Sequence, residues 1–323
     1  MNEFKPALGL SNRHAQTLYP ALFRRVHQPK FEIEQFELSD GDFVECFWHG
    51  KPKKSTNTPI VILFHGLEGS YKSSYVQGMM NTLHNAGLSS VLMHFRGCSG
   101  KINYLPKSYH SGDTQDAKSW ITHLNNCYSG HKLFAIGYSL GGNMLLKLLG
   151  EWKEKSPLAG AICISAPMQL EASADQMNKG LSLIYQSYLM KHLKKSLLKK
   201  YKIHPMESII GIDEISVKKL KSLREFDDIY TAPINGFKSA NEYYEKSRAK
   251  QYIKHIRTDT LIIHSLDDPF MTNEVLPNQK KLPQNVKMEL TKNGGHVGFV
   301  SGSIFRPRYW LEERILLFIQ NLS

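Results

Sequence analysis

Cysteine is scarce in this chain. Its 323 residues include only Cys46, Cys98, Cys127 and Cys163, no two closer than 29 positions. Without a CxxC pair there is no zinc knuckle or dithiol redox motif to read. Scattered thiols in a chain of this length suit a reducing compartment rather than a disulfide scaffold. Long apolar runs are missing too. The longest uncharged stretches are about 14 residues, such as Leu133 to Leu146. A membrane-spanning helix needs roughly 18 to 20. The opening MNEFKPALGLSNRHAQTLYP has no basic segment followed by an apolar one, so no secretory signal is read there. Neither repeats nor low-complexity tracts occur. The expectation is a soluble, cytoplasmic protein that needs no cofactor and no metal.

What is present is an ordinary globular composition, 41% apolar and 22% charged, which excludes disorder. The charge is less ordinary. A net +12 could mean nucleic acid, an anionic membrane surface or an acidic substrate. Between Met168 and Arg257 there are 17 Lys and Arg against 10 Asp and Glu, so +7 of the excess lies in 90 residues. No nucleic-acid motif accompanies it, and no nucleic-acid partner is expected.

Hydrophobic patterning suggests a layered α/β chain. Phe31 to Leu38 alternates, Asp40-Gly41 turns, and Phe43 to Trp48 returns, which reads as an antiparallel hairpin. Ile60 to Phe64 is a continuous apolar run, the mark of a parallel strand buried on both faces. Further strand-like runs lie at Ser90 to Phe95, Leu133 to Ile136, Ala161 to Ile164, Thr260 to His264 and Val286 to Leu290. Helix-like stretches fall at Tyr75 to Ala86, Thr114 to Asn125, Leu140 to Leu149 and Glu274 to Lys280, with a last one from Arg308 to Ile319. Such alternation predicts a mostly parallel sheet covered on both faces, with function at the carboxyl ends of its strands.

One interval breaks the rhythm. Some 90 residues separate two of the strands, too many for a structureless loop. Leu181, Ile184, Tyr185, Tyr188, Leu189, Leu193, Leu197 and Tyr201 recur at helical spacing, with the lysines from Lys191 to Lys202 on the other face. The reading is a core of residues 1–167 and 258–323 with a helical cap inserted at 168–257.

Chemistry concentrates at Gly137-Tyr138-Ser139-Leu140-Gly141-Gly142, a G-x-S-x-G sequence between a strand and a helix. A serine on a sharp strand-to-helix turn needs small residues two positions before and after it. Serine also needs an adjacent base. Of 14 histidines, His296 stands out in the glycine-rich Asn293-Gly294-Gly295-His296-Val297-Gly298 after the last strand. Serine, acid, histidine is one of the chain orders in which such triads occur. The acid then follows Thr260 to His264, where Ser265-Leu266-Asp267-Asp268-Pro269-Phe270 offers two aspartates. Asp268, directly before the proline, is the expected acid, and Asp267 the alternative. The backbone N–H groups of Leu140 and of Leu67, in His65-Gly66-Leu67-Glu68-Gly69, are the expected oxyanion donors. Arg96 is expected to pair with a carboxylate, Ser111 or Asp113 to cap a helix, and Cys98 to be a bystander.

The strings FHGLEGS, HFRGCSG, YHSGDTQDA, GYSLGGNMLLKLLGE, ISAP and DDPF resemble the YheT-type bacterial hydrolases of the α/β-hydrolase superfamily. Their kin include eukaryotic abhydrolase-domain lipid esterases and acyltransferases. Leu10 to Thr17 resembles that family's opening segment, so the likeness runs from about residue 5 to 320. It implies the α/β-hydrolase fold and a serine hydrolase using Ser139, Asp268 and His296. The expected substrate is a small-molecule acyl ester or lipid, with short to medium acyl chains. Epoxide hydrolases and dehalogenases of this fold need aspartate where Ser139 stands. Alternatives are a thioesterase or acyltransferase on the same residues, or a silent binding protein on the scaffold. The Lys191 to Lys202 face could touch an anionic membrane weakly. Oligomeric state is not legible.

Overall fold

Ile60–Phe64 is apolar throughout because both of its faces are covered. In the computed structural model, which describes residues 3–323, Ile60, Ile62 and Phe64 join one core cluster and Val61 and Leu63 the other. This strand, β3, lies inside an eight-stranded sheet with β1 (Glu32–Glu37), β2 (Phe43–His49), β4 (Ser89–Met93), β5 (Leu133–Tyr138), β6 (Leu158–Ile164), β7 (Thr260–Ser265) and β8 (Val286–Thr291). The order is β1-β2-β4-β3-β5-β6-β7-β8. From β4 to β8 every pairing is parallel, while β1 and β2 run antiparallel at one edge. Asp40-Gly41 makes the predicted turn between them, with Gly41 at φ +80°.

The helices are α1 (Arg13–Phe23), α2 (Ser74–Asn85), α3 (Gln115–Cys127), α4 (Leu140–Trp152), α5 (Leu170–Met177), α6 (Ser182–Tyr201), α7 (Met206–Ile210), α8 (Glu214–Lys219), α9 (Leu223–Phe226), α10 (Ala232–Ile234), α11 (Ala240–Ser247) and α12 (Trp310–Gln320). Helices α3 and α4 bury apolar residues on one face of the sheet, α2 and α12 on the other. The chain passes from β3 to β4 on one side and from β5 to β6 on the other. Connections therefore diverge between β3 and β5, and the crevice above such a divergence is where open α/β sheets place their ligands. This is the α/β-hydrolase architecture that the sequence suggested. Among the described residues, no helix is long and apolar enough to cross a membrane.

Between β6 and β7 the chain runs through α5 to α11. Met190, Leu193, Leu197, Met206, Val217, Leu220, Phe226 and Tyr230 form a cluster of their own within this insertion. Its returning end is different: Ala249, Ile253 and Ile256 pack into the main core beside α4 residues.

Four expectations need correction. Glu274 to Lys280 is not an α-helix but two 3-10 turns, Asn273–Val275 and Gln279–Lys281. Pro277 explains the break, since it removes an N–H and pushes Leu276 to the extended ψ of 134°. The final helix starts at Trp310 because Pro307–Tyr309 pairs as a short strand with Val300–Gly302. Neither Ser111 nor Asp113 caps α3; its N-cap is Thr114, without a side-chain bond. Finally, the lysines of α6 do not share one solvated face. Lys200 is buried and donates to Asn103 Oδ1 at 2.6 Å and to the Leu105 carbonyl at 2.8 Å. Leu181, Ile184 and Tyr188 instead face outward.

Candidate active site

Strand β5 ends at Tyr138 and α4 begins at Leu140, so the whole reversal falls on Ser139. Its φ of 49° and ψ of −118° lie outside the regions that non-glycine residues favour. Such a conformation costs on the order of 1–3 kcal/mol and persists only where the surroundings impose it. The surroundings are explicit. The Ser139 N–H donates to the Ile164 carbonyl at 2.8 Å, and its own carbonyl accepts from Gly142 and Asn143 at 2.9 and 3.1 Å. A Cβ on Gly137 would sit 2.5 Å from the Gly141 carbonyl oxygen, and one on Gly141 would sit 2.6 Å from the Phe64 and His65 oxygens. Only glycine fits at either place. The turn thrusts the serine side chain up at the N-terminal end of α4.

Two loops bring partners to it. His296 Nε2 lies 3.0 Å from Ser139 Oγ, and His296 Nδ1 lies 2.8 Å from Asp268 Oδ2. A carboxylate can only accept, so Nδ1 carries the hydrogen and Nε2 offers its lone pair to the serine hydroxyl. Asp268 is buried, and its other oxygen accepts the Phe270 N–H at 2.8 Å. Phe270 stacks on the imidazole, with ring centroids 4.0 Å apart and planes 12° from parallel.

Asp267 faces elsewhere. It accepts the Ser265 hydroxyl and, at 2.9 Å, the N–H of Gly295. It therefore ties the histidine loop to the end of β7 without touching the imidazole. Residues near the N-terminus hold the same loop. Thr17 Oγ1 accepts the His296 N–H at 2.9 Å, and Gln16 bonds the Val300 carbonyl at 2.9 Å and its N–H at 2.7 Å. The sequence marks this segment only through the likeness of Leu10 to Thr17 to a family's opening segment, and α1 is a helix not expected from it. The available signal was Asn12, whose side chain caps α1 by accepting from His14 N–H at 2.8 Å.

Leu67 follows β3 and Leu140 follows Ser139, and both border the same cavity as Ser139 and His296. Neither backbone N–H donates a hydrogen bond among the described residues. Gly66 brings the two segments together: a Cβ on it would stand 3.3 Å from Ser139 Cβ. The cavity measures about 920 Å³ and runs beneath the insertion, where Met177, Leu193, Leu197, Phe226 and Tyr230 line it.

The neighbouring titratable groups are structural. Burial, then the nearby His94, lowers His65 to about 3, so it stays neutral. Its Nδ1–H donates to the Gly66 carbonyl at 2.7 Å while Nε2 accepts the Phe95 N–H at 3.1 Å. Arg96 pairs with acids, as expected: two bonds of 2.7 Å to Asp116, one of 2.7 Å to Asp40 and one of 3.1 Å to Asp42. Burial pushes the Cys98 thiol well above its usual range, which leaves no thiolate for nucleophilic work.

Comparison with known proteins agrees with the fold. A profile of the alpha/beta hydrolase fold matches residues 59–303. The putative esterase YheT of Escherichia coli is 42% identical over 315 residues, 97% of this chain and 92% of that one. Phospholipase ABHD3 of Homo sapiens is 27% identical, over 99% of this chain and 79% of its own. Among solved structures, the Pyrococcus furiosus esterase Pf2001 superposes with a TM-score of 0.58 at 14% identity, covering 100% of this chain and 98% of that one, which speaks for the fold alone. The chain therefore belongs to the α/β-hydrolase family, in its esterase and lipase branch.

Proposed function

We propose that the protein hydrolyses carboxylic esters through an acyl-enzyme on Ser139. The observation that supports this most is the aligned series Ser139 Oγ, His296 Nε2, His296 Nδ1, Asp268 Oδ2, with steps of 3.0 and 2.8 Å, opening on a mainly apolar cavity. In this reading Ser139 Oγ attacks the acyl carbon and its proton passes to His296 Nε2. The carbonyl oxygen becomes an oxyanion held by the N–H groups of Leu67 and Leu140. Collapse breaks the ester C–O bond, and the imidazolium gives its proton to the departing alkoxide. Water, deprotonated by the same imidazole, then attacks the acyl-enzyme, the acyl–Oγ bond breaks, the imidazolium returns its proton to Ser139 Oγ, and the acid leaves. Asp268 orients the imidazole and stabilises its charged form without taking the proton.

The names of the relatives, putative esterase and phospholipase, agree with an ester or lipid substrate. The apolar lining suits acyl chains of short to medium length. A p-nitrophenyl ester series of increasing chain length, run beside Ser139→Ala, tests both points. Turnover that survives Ser139→Ala would overturn the reading, as would failure of a fluorophosphonate probe to label Ser139 in folded protein at neutral pH. Thioesters and acyl transfer to an added alcohol belong in the same assay, because the residues serve all three.

Peripheral contact with an anionic membrane is part of this proposal. Exposed Leu181, Ile184 and Tyr188 continue along α6 into exposed Lys191 and Lys195, and Tyr188 borders the cavity. Failure to bind anionic liposomes at low salt removes this contact.

A further inference from the structure

Three consecutive amides follow β3, and their surroundings treat the middle one differently. The Gly66 N–H donates to the Tyr75 hydroxyl at 3.0 Å. The Glu68 N–H donates to the Tyr109 hydroxyl at 2.8 Å. Leu67, between them, donates to nothing among the described residues. The turn closes where the Gly69 N–H meets the Gly66 carbonyl at 2.9 Å, and Glu68 takes a φ of 53°, unusual for a residue with a Cβ.

Both phenols are fixed by their own packing. Tyr75 lies against Tyr138, the neighbour of Ser139, with ring centroids 4.7 Å apart. Tyr109 is buried and stacks on Phe95 at 5.0 Å and 11°. The Tyr109 hydroxyl donates its one proton to Glu68 Oε1 at 3.0 Å, so a lone pair is left for the Glu68 N–H. Glu68 Oε2 in turn accepts the Ser196 hydroxyl of α6 at 2.6 Å, which links the turn to the insertion.

We propose that Tyr75 and Tyr109 are positioning residues that hold the Leu67 N–H toward the reacting carbonyl by engaging the amides on either side of it. The proposal rests on the ester-hydrolase reading of Ser139. Turning the loop would strand a Gly66 or Glu68 amide, and leaving such a group unsatisfied is costly. A donor fixed before the substrate arrives need not reorganise as charge develops on the oxygen. Loss of one phenol oxygen should therefore weaken the transition state more than the ground state.

The test uses Tyr75→Phe and Tyr109→Phe in the full chain, with a p-nitrophenyl ester that the wild type cleaves. A trifluoromethyl ketone with the same acyl chain reports on the oxyanion, since it forms a tetrahedral adduct on the serine. The expected result for each variant is a kcat lower by about tenfold, less than loss of the donor itself would cause. Ketone inhibition should weaken in parallel, with KM within about twofold of wild type. Unchanged kcat and ketone inhibition in folded variants would overturn the proposal while leaving the Ser139 reading intact. A wild type that neither turns over esters nor labels at Ser139 would overturn both. Should the variants not fold, hydrogen exchange of the wild-type amides decides. Leu67 should exchange faster than Gly66 and Glu68, and slow down once a phosphonate is attached to Ser139. Equal protection of all three, unchanged by the phosphonate, would refute the arrangement.

Discussion

The Thr17 hydroxyl accepts the His296 N–H at 2.9 Å, joining a helix near the start of the chain to a loop near its end. Gly295 and Gly298 permit the approach: a Cβ on Gly295 would stand 2.6 Å from Thr17 Oγ1, and one on Gly298 2.2 Å from the Gln16 carbonyl oxygen. Thr17→Val keeps the shape and removes the acceptor. A neutral hydrogen bond of this kind is worth about 1 kcal/mol. The expected outcome is a fewfold loss of kcat with a melting temperature close to wild type. Full activity in Thr17→Val would show that the other contacts of the loop suffice.

Asp267 and Asp268 should separate clearly by mutation. Only Asp268 meets the imidazole, whereas Asp267 meets the Gly295 N–H. Asp268→Asn would favour the tautomer with its hydrogen on Nε2, which cannot accept from the serine. In a serine protease triad the same change costs about 10⁴ in kcat, and a loss of that order is expected here. Asp267→Asn should lose tenfold or less, since it disturbs the loop and not the proton path. Stopped ester assays on the two variants decide between them, and a reversed order would move the acid role to Asp267.

These two cases also show what the sequence could and could not reveal. The sheet was legible because runs such as Ile60 to Phe64 carry their burial in their composition, and Ser139 because its turn demands glycine at Gly137 and Gly141 within a few residues. Helix α1 was not, because its buried residues are Gln16 and Pro20 while Leu18, Leu22 and Phe23 lie exposed. Its short stripe of Ala15, Leu18, Tyr19 and Leu22 does not mark the side it buries, and what holds Gln16 in place is Leu10 together with Val300, 284 positions away. Helix α6 misled for the same reason. It buries Ser182, Gln186 and Lys200, whose partners come from other parts of the chain. Local pattern encodes what water forces on a segment, and distant polar partners leave no trace in it.

The glycines after Ser139 are not equivalent. Alanine at Gly141 would press on the Phe64 and His65 carbonyls at 2.6 Å, backbone that cannot move without disturbing β3. At Gly142 the nearest atoms stand 3.0 and 3.1 Å away, the Gly137 carbonyl oxygen and Ala166 Cβ. There the strain is partly offset by the helix preference for alanine over glycine, about 1 kcal/mol. Gly141→Ala is expected to lower stability by roughly 3 kcal/mol or more, in the range of severe overpacking. Gly142→Ala should fall within about 1 kcal/mol of wild type. Urea denaturation of both variants measures this, and equal midpoints would contradict the account of the turn.

Stability should fall as the solution is acidified, starting just below neutrality. Burial, with His94 beside the first and Lys107 and Lys147 beside the second, lowers His65 and His110 to about 3, and burial lowers His94 to about 4. Nε2 of both His65 and His94 accepts a backbone N–H, at 3.1 Å in each case, so protonation there would set donor against donor. The unfolded chain has no such constraint and binds these protons near the usual 6.5. Below that pH the unfolded state holds more protons than the fold. Stability is then complete above 6.5 and is lost as pH falls, by roughly 1.4 kcal/mol per pH unit for each extra proton. Buried acids act in the opposite sense. Burial raises Asp227 to about 6 and raises Asp116 and Glu312 as well, so their protonation favours the fold as pH falls further. The histidine effect should therefore set in between about pH 7 and 6 and deepen below, where the buried acids oppose it. Calorimetric melting across that range is the check. A melting temperature that holds constant or rises from pH 7 to 6 would mean that these histidines are already charged in the folded protein.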